Sequence, residues 1–191
     1  MQLILASQSP RRQELLRLIT PDFTVCPADI DEALDAGADL KSEVARLAAG
    51  KARAVAAQYP QAAVVGSDTL VVLDGRALGK PADAAEARRM LGLLSGRTHE
   101  VMTGLALYVP GRGMHTDTTV TRVRFAPLSD QEIEAYVASG EPMDKAGAYG
   151  IQGHGALLIR GIEGDYYSVM GLPVEPLGEI LRGLRARGGT E

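Results

Sequence analysis

Short apolar runs alternate with longer amphipathic stretches along the chain, and that alternation predicts an α/β fold. Residues 3–6 read as a buried strand. Ser9 then caps a helix whose first position suits Pro10; Leu15, Leu16 and Ile19 give it an apolar stripe until Pro21 stops it. Residues 23–26 predict a second strand, and the acidic, turn-rich stretch 27–40 a loop. A long helix runs from a Ser42 cap to Gln58. Two β-rich runs, 62–65 and 69–73, flank a Gly66-Ser67-Asp68-Thr69 turn, and Asp74-Gly75 marks a hairpin. A third helix covers 84–94. Residues 101–109 and 118–125 form a long hairpin around Pro110-Gly111-Arg112-Gly113. Ser129 caps a helix over 131–138, and a glycine-rich loop spans 140–155. Strands over 156–159 and 166–170 and a helix over 173–185 follow, with a frayed tail at 187–191. The mixed order indicates a mixed β-sheet flanked by helices in a single domain over 1–191. Loops beyond strand ends are the first places to look for a site.

Composition narrows the classes. Hydrophobic residues make up 46% of 191, enough for a real core, which excludes intrinsic disorder. A net charge of −4 argues against broad nucleic-acid binding, and two Phe with no Trp offer no base-stacking platform. Cys26 is the single cysteine, so a disulfide scaffold is excluded and a reducing compartment fits. No run approaches the roughly 18 apolar residues of a membrane span. The first six residues lack a basic leader and read as a strand, not a signal peptide. Only four of the 20 basic residues are lysine: Lys41, Lys51, Lys80 and Lys145. Where arginine is so preferred, a lysine in an unusual place suggests a need for a compact point charge.

Five positions invite chemistry. Arg11 and Arg12 occupy the first turn of a helix, the positive end of its dipole, where cations are unfavourable without an anion. With the Ser7 and Ser9 hydroxyls and free backbone N–H groups they suit a phosphate; the alternative is arginines paired with surface acids. Lys51 shares the helical stripe of Val44, Leu47, Ala48 and Val55, so it either faces inward and needs a partner or a cleft, or snorkels from the edge of the stripe to solvent. Asp68 lies between apolar β residues, where it could hold a metal or accept a proton from water; an Asx-stabilised turn is the competing reading. Lys80, in Leu78-Gly79-Lys80-Pro81, is not in a P-loop, because the spacing is short and Pro81 stands where Ser or Thr is needed; it is either an ordinary exposed turn lysine or one that reaches a phosphate. The loop from Asp144 through Lys145 to Gly155 could bring the Gln152 amide to a base edge. Glu32, in an acidic stretch that by itself reads as a solvated loop, could add a carboxylate to a metal. His99, His115 and His154 have no metal-ligand spacing, and no serine-nucleophile elbow is present.

Taken in order, Leu3-Ile4-Leu5-Ala6-Ser7-Gln8-Ser9-Pro10-Arg11-Arg12, Gly66-Ser67-Asp68-Thr69, Gly79-Lys80-Pro81, Leu94-Ser95-Gly96-Arg97-Thr98-His99, the stretch from Gly140-Glu141-Pro142 to Gln152-Gly153, and Gly171-Leu172-Pro173 resemble the Maf family of nucleoside triphosphate pyrophosphatases. The resemblance covers nearly the whole chain. It implies two lobes around a central cleft, in a Maf/ITPase-like arrangement. It also implies a cytoplasmic enzyme dependent on Mg²⁺ or Mn²⁺ that hydrolyses a nucleoside triphosphate to the monophosphate and pyrophosphate, and a homodimer at family level. Asp68 stands at the position of the proton acceptor. Arg11, Thr69 and Gln152 match positions tied to substrate choice, and Glu32, Lys51 and Lys80 match polar positions in the cleft. The Ala146 to Gly153 stretch resembles the branch acting on dTTP and UTP. Ser67 replaces the alanine common before the aspartate.

These readings converge on one arrangement. Asp68 acts as base, as metal ligand or as both, and Glu32 is the other candidate ligand for the metal. Ser7, Arg11, Arg12, Lys51, Thr69, Lys80, Lys145 and Gln152 bind the nucleotide. Two alternatives predict different products: a non-catalytic nucleotide- or DNA-binding regulator of cell division, and a phosphatase that frees orthophosphate.

Overall fold

The computed structural model describes residues 2–188. Its centre is β3 (Ala63–Leu73), eleven residues whose β-branched and small side chains leave both faces covered. β1 (Leu3–Leu5) pairs parallel with β3 on one edge and with β2 (Thr24–Val25) on its other edge. The opposite edge of β3 pairs antiparallel with β5 (Thr98–Val109). From there β6 (Gly113–Phe125) and β7 (Ile159–Glu163) complete the order β2-β1-β3-β5-β6-β7. β4 (Arg76–Leu78) folds back on the end of β3 through Asp74-Gly75, both at positive φ as a tight hairpin turn requires. The sheet is therefore mixed, with helices α1 (Pro10–Ile19), α2 (Leu40–Gln58), α3 (Ala84–Leu94), α4 (Asp130–Ala138), α5 (Tyr166–Met170) and α6 (Val174–Gly188) around it.

On the β1 and β4 side, β3 is paired over Ala63–Val65 and again over Val71–Leu73, and not between. The apolar packing divides at the same place. Val64 joins the cluster under α2, Val65 the cluster with α1 and α6, and Val71 and Leu73 the cluster with α3 and α4. Residues 66–70 lie in the gap, so the strand's middle opens onto a cleft between packed regions. The predicted Gly66-Ser67-Asp68-Thr69 turn does not exist: β3 runs straight through it, because β5 pairs every residue from Val64 to Val72.

Gly66 sets how closely α2 approaches. A Cβ there would lie 2.2 Å from the Ala48 oxygen, and one at Gly104, the β5 neighbour of Asp68, would lie 2.3 Å from the Val44 oxygen. Helix and sheet backbones thus touch directly. Asp68 is two residues from Gly66 on the same face, and Lys51 is one turn along α2 from Ala48. The Gly66 contact therefore sets the Lys51–Asp68 distance. Gly66→Ala should cost about 2–3 kcal/mol through overpacking and reduce activity by lifting α2; thermal melting and turnover check both.

Several boundaries differ from expectation for local reasons. α2 starts at Leu40, because Asp39, not Ser42, caps it by accepting from the Ser42 N–H. The β-favouring Tyr166–Met170 run is helical. Asp165 accepts from the Tyr167 and Ser168 N–H groups, and Gly171 ends the helix at φ +117. Residues 156–158 belong to a 3₁₀ turn, Gly153–Leu158, with β7 starting at Ile159. α6 continues to Gly188, and 189–191 of the expected frayed tail lie outside the described residues. Among the described residues no helix is long and apolar enough to cross a membrane.

Candidate active site

The gap in β3 opens into a cleft of about 1080 Å³. All ten residues singled out from the sequence line it: Ser7, Arg11, Arg12, Glu32, Lys51, Asp68, Thr69, Lys80, Lys145 and Gln152. They arrive on separate elements. The turn after β1 brings Ser7 and the first turn of α1, α2 brings Lys51, β3 brings Asp68 and Thr69, and the turn after β4 brings Lys80. The loop after α4 brings Lys145 and Gln152, and the loop before α2 brings Glu32.

Lys51 and Asp68 are both buried, and the Lys51 ammonium donates to Asp68 Oδ1 at 2.6 Å. The same nitrogen lies 2.7 Å from Glu32 Oε1, on a side chain that is otherwise exposed. One cation therefore draws two carboxylates from different elements together. The hydrogen bond from Lys51 holds the Glu32 carboxyl below its ordinary pKa, and the charges of Lys51, Lys80 and Arg12 add to that. Among the described residues, Asp68 Oδ2 and Glu32 Oε2 have no partner.

Strand alternation puts Thr69 on the face opposite Asp68. Its hydroxyl meets Thr103 at 3.0 Å and accepts from Arg12 at 3.3 Å. Arg12 also donates to the Gly171 carbonyl at 2.9 Å and to Ser7 at 3.3 Å. Burial lowers the Arg12 pKa, opposed mainly by the Asp68 charge. The two arginines thus separate. Arg12 is a partly buried strut between α1, β3 and the α5 terminus, while Arg11 pairs across the cleft with exposed Asp144 at 3.4 Å. Lys145 is engaged locally, donating to the Glu141 carbonyl and to Asp144, each at 2.6 Å. Lys80 and Gln152, by contrast, are exposed and form no hydrogen bond or ion pair among the described residues.

Four features were not anticipated. Ser67 is fully buried, with its hydroxyl 2.8 Å from the carbonyl oxygens of Gly104 and Gly171, so the serine ties β3 to the Gly171 corner. Asp144 partners Arg11, and Gly171 receives Arg12. Glu141 gathers a set of donors beneath the 150–155 loop. Their common sequence signal is a polar residue or glycine inside a motif already noticed. For Ser67, Asp144 and Gly171 nothing in the spacing reveals partners more than a hundred positions away, whereas the partners of Glu141 lie within 14 positions of it. His99 lies behind the cleft, where burial pushes its pKa down to about 4 and its Nε2 meets the Tyr149 hydroxyl at 2.7 Å.

A family model described as Maf-like protein matches residues 2–184. A protein of Symbiobacterium thermophilum named dTTP/UTP pyrophosphatase is 57% identical over 94% of this chain and 92% of its own length. One of the same name from Koribacter versatilis is 53% identical over 95% of this chain and 94% of its own. The solved structure of a HAM1 protein from Coxiella burnetii shares the fold, with a TM-score of 0.53 at 19% identity over 96% of this chain and 99% of that one.

Proposed function

The chain belongs to the Maf family, and from that premise we propose that it hydrolyses pyrimidine nucleoside triphosphates, dTTP and UTP, to the monophosphate and pyrophosphate. The observation that carries this reading is the convergence of Asp68 and Glu32 on Lys51, in a cleft whose other walls bear Arg11, Arg12 and Lys80. Relatives named dTTP/UTP pyrophosphatase, matched over 92% and 94% of their own length, support it.

A triphosphate brings about four negative charges that must be neutralised before a nucleophile approaches. Lys80 is free for that task, and Arg11 becomes free if phosphate takes the place of Asp144. The donor set fits a hard divalent cation. Mg²⁺ typically uses one or two carboxylates and fills its remaining positions with water and substrate phosphate, and Asp68 and Glu32 each have an oxygen to spare. Bound there, Mg²⁺ or Mn²⁺ would screen the phosphate oxygens and acidify a water. Asp68 accepts a proton from the attacking water as the water's oxygen bonds the α-phosphorus in line, the α–β anhydride bond breaks, and pyrophosphate leaves. Lys51 holds the Asp68 carboxylate in place throughout. Gln152 offers both a donor and an acceptor to a pyrimidine edge. A cytoplasmic location and a homodimer belong to the same reading.

Phosphate release measured with malachite green, with and without added inorganic pyrophosphatase, tests it across a nucleotide panel. Signal should appear only when pyrophosphatase is present. Rates on dTTP and UTP should exceed those on ATP and GTP by more than roughly tenfold, as expected of a hydrogen-bonding site. Orthophosphate without the helper enzyme would identify a phosphatase, and nucleotide binding with no release a non-catalytic regulator. Equal rates on purines would remove the base preference alone.

A further inference from the structure

Glu141 takes no part in the chemistry above, yet its carboxylate has more donors than any reacting group. It follows Gly140, which turns the chain at φ +73 after α4, and begins a 3₁₀ turn, Glu141–Asp144. Oε1 accepts from the Tyr136 hydroxyl at 3.1 Å and from the Gly155 N–H at 3.2 Å. Oε2 accepts from the His154 N–H at 3.0 Å and lies 3.4 Å from His154 Nδ1. Tyr136 is buried, and its hydroxyl oxygen in turn accepts from the Gly150 N–H at 3.1 Å.

These bonds hold one short loop at both ends. Gly150 is fixed through Tyr136, and His154 and Gly155 are fixed by Glu141. Between them lies Gln152, the exposed amide in the cleft with no partner of its own. The chain wraps closely around the carboxylate. A Cβ at Gly153 would lie 2.7 Å from Glu141 Oε2, and one at Gly155 would lie 2.1 Å from the Gly150 oxygen. Lys145 closes the base of the loop, donating to the Glu141 carbonyl while its stem packs under Gly150. No hydrogen bond or ion pair links Glu141 with Asp68, Lys51 or Lys80 among the described residues.

We infer that Glu141, acting partly through Tyr136, is a positioning residue for base selection: it fixes the Gln152 loop so that the amide meets the base at one height and one angle. The inference rests on the nucleotide-hydrolysing reading proposed above. An amide discriminates between bases only if it cannot move to suit the wrong one. A loop that must be ordered by each arriving ligand binds more weakly, because the ordering cost falls on binding. Releasing the loop should therefore affect affinity and selectivity before the chemical step.

Glu141→Ala removes every acceptor. Glu141→Gln retains one oxygen and turns an amide NH₂ toward the other donors. Tyr136→Phe frees Gly150 while leaving the carboxylate. Steady-state kinetics on dTTP, UTP, ATP and GTP, with melting temperatures, test the set. In Glu141→Ala the ratio of kcat/KM for dTTP over ATP should fall by about tenfold or more, through a higher KM for dTTP with kcat changed by less than about threefold. Glu141→Gln and Tyr136→Phe should fall between it and the wild type. If Glu141→Ala does not fold, these two milder variants decide. A selective wild type whose folded variants keep the ratio, even with lowered melting points, overturns the inference. So does a loss confined to kcat. A wild type with no pyrimidine preference defeats the base-selection reading instead, and the KM of its best nucleotide then tests Glu141 in the same way.

Discussion

Asp68→Asn should hydrolyse dTTP at least about 10³-fold more slowly than the wild type and should still fold. The carboxylate is buried within β3 with one oxygen on the Lys51 ammonium, and the other oxygen has no partner among the described residues. An amide of the same shape keeps an oxygen for Lys51, and Lys51 keeps Glu32 at 2.7 Å, so neither the strand register nor the buried cation is orphaned. What is lost is the proton acceptor and one anionic oxygen.

Nucleotide binding separates those two losses. Without divalent cation, the variant should bind triphosphate more tightly than the wild type, because one negative charge facing the phosphates is gone. If Asp68 also ligates the cation, binding by the variant should need a higher Mg²⁺ or Mn²⁺ concentration. If it acts only as base, that requirement stays unchanged. Turnover at the wild-type rate would sink the role of Asp68 altogether. The measurements are pyrophosphate release, calorimetric binding and a circular dichroism melt.

Much of this fold is legible because its elements carry local signals. The Ser9 and Ser129 caps, the Asp74-Gly75 turn and the apolar stripe of α2 each fix an element without tertiary help. Where expectation failed, a neighbour overrode the local signal. Gly66 looks like a turn residue, but α2 needs a bare backbone there and β5 keeps the strand extended. Tyr166–Met170 has strand-favouring residues, but Asp165 and Gly171 close it at both ends as a short helix. The site divides in the same way. Lys51 and Asp68 are visible singly because each places a charge on an apolar pattern, and burial makes a partner obligatory. That each is the partner of the other is not visible, since it depends on the seating of Gly66 against Ala48. Arg11 and Arg12 are adjacent in sequence and alike in chemistry, yet one pairs with surface Asp144 and the other becomes a strut to Gly171. Only the fold distinguishes them.

Lys51→Met should cost about 3 kcal/mol of stability, roughly a 10 °C fall in Tm for a chain of this size, and should also abolish turnover. Methionine matches the length of the lysine stem and suits the apolar stripe of α2. The cost therefore comes from Asp68, whose side chain is only 11% exposed and would be left without its cation, and not from packing. Combining Lys51→Met with Asp68→Asn removes the uncompensated charge and should restore most of the lost stability while leaving the protein inactive. A double variant no more stable than Lys51→Met alone would mean that the uncompensated Asp68 charge is not the source of the lost stability. Acid titration gives an independent reading. In the wild type the Lys51 hydrogen bond depresses the Glu32 pKa in the folded state. The stability from that bond is present above the unfolded carboxyl pKa of about 4.3 and is lost as pH falls through the lower folded value. This part of the acid sensitivity should be missing from Lys51→Met and retained in Asp68→Asn, since only the first removes the donor to Glu32.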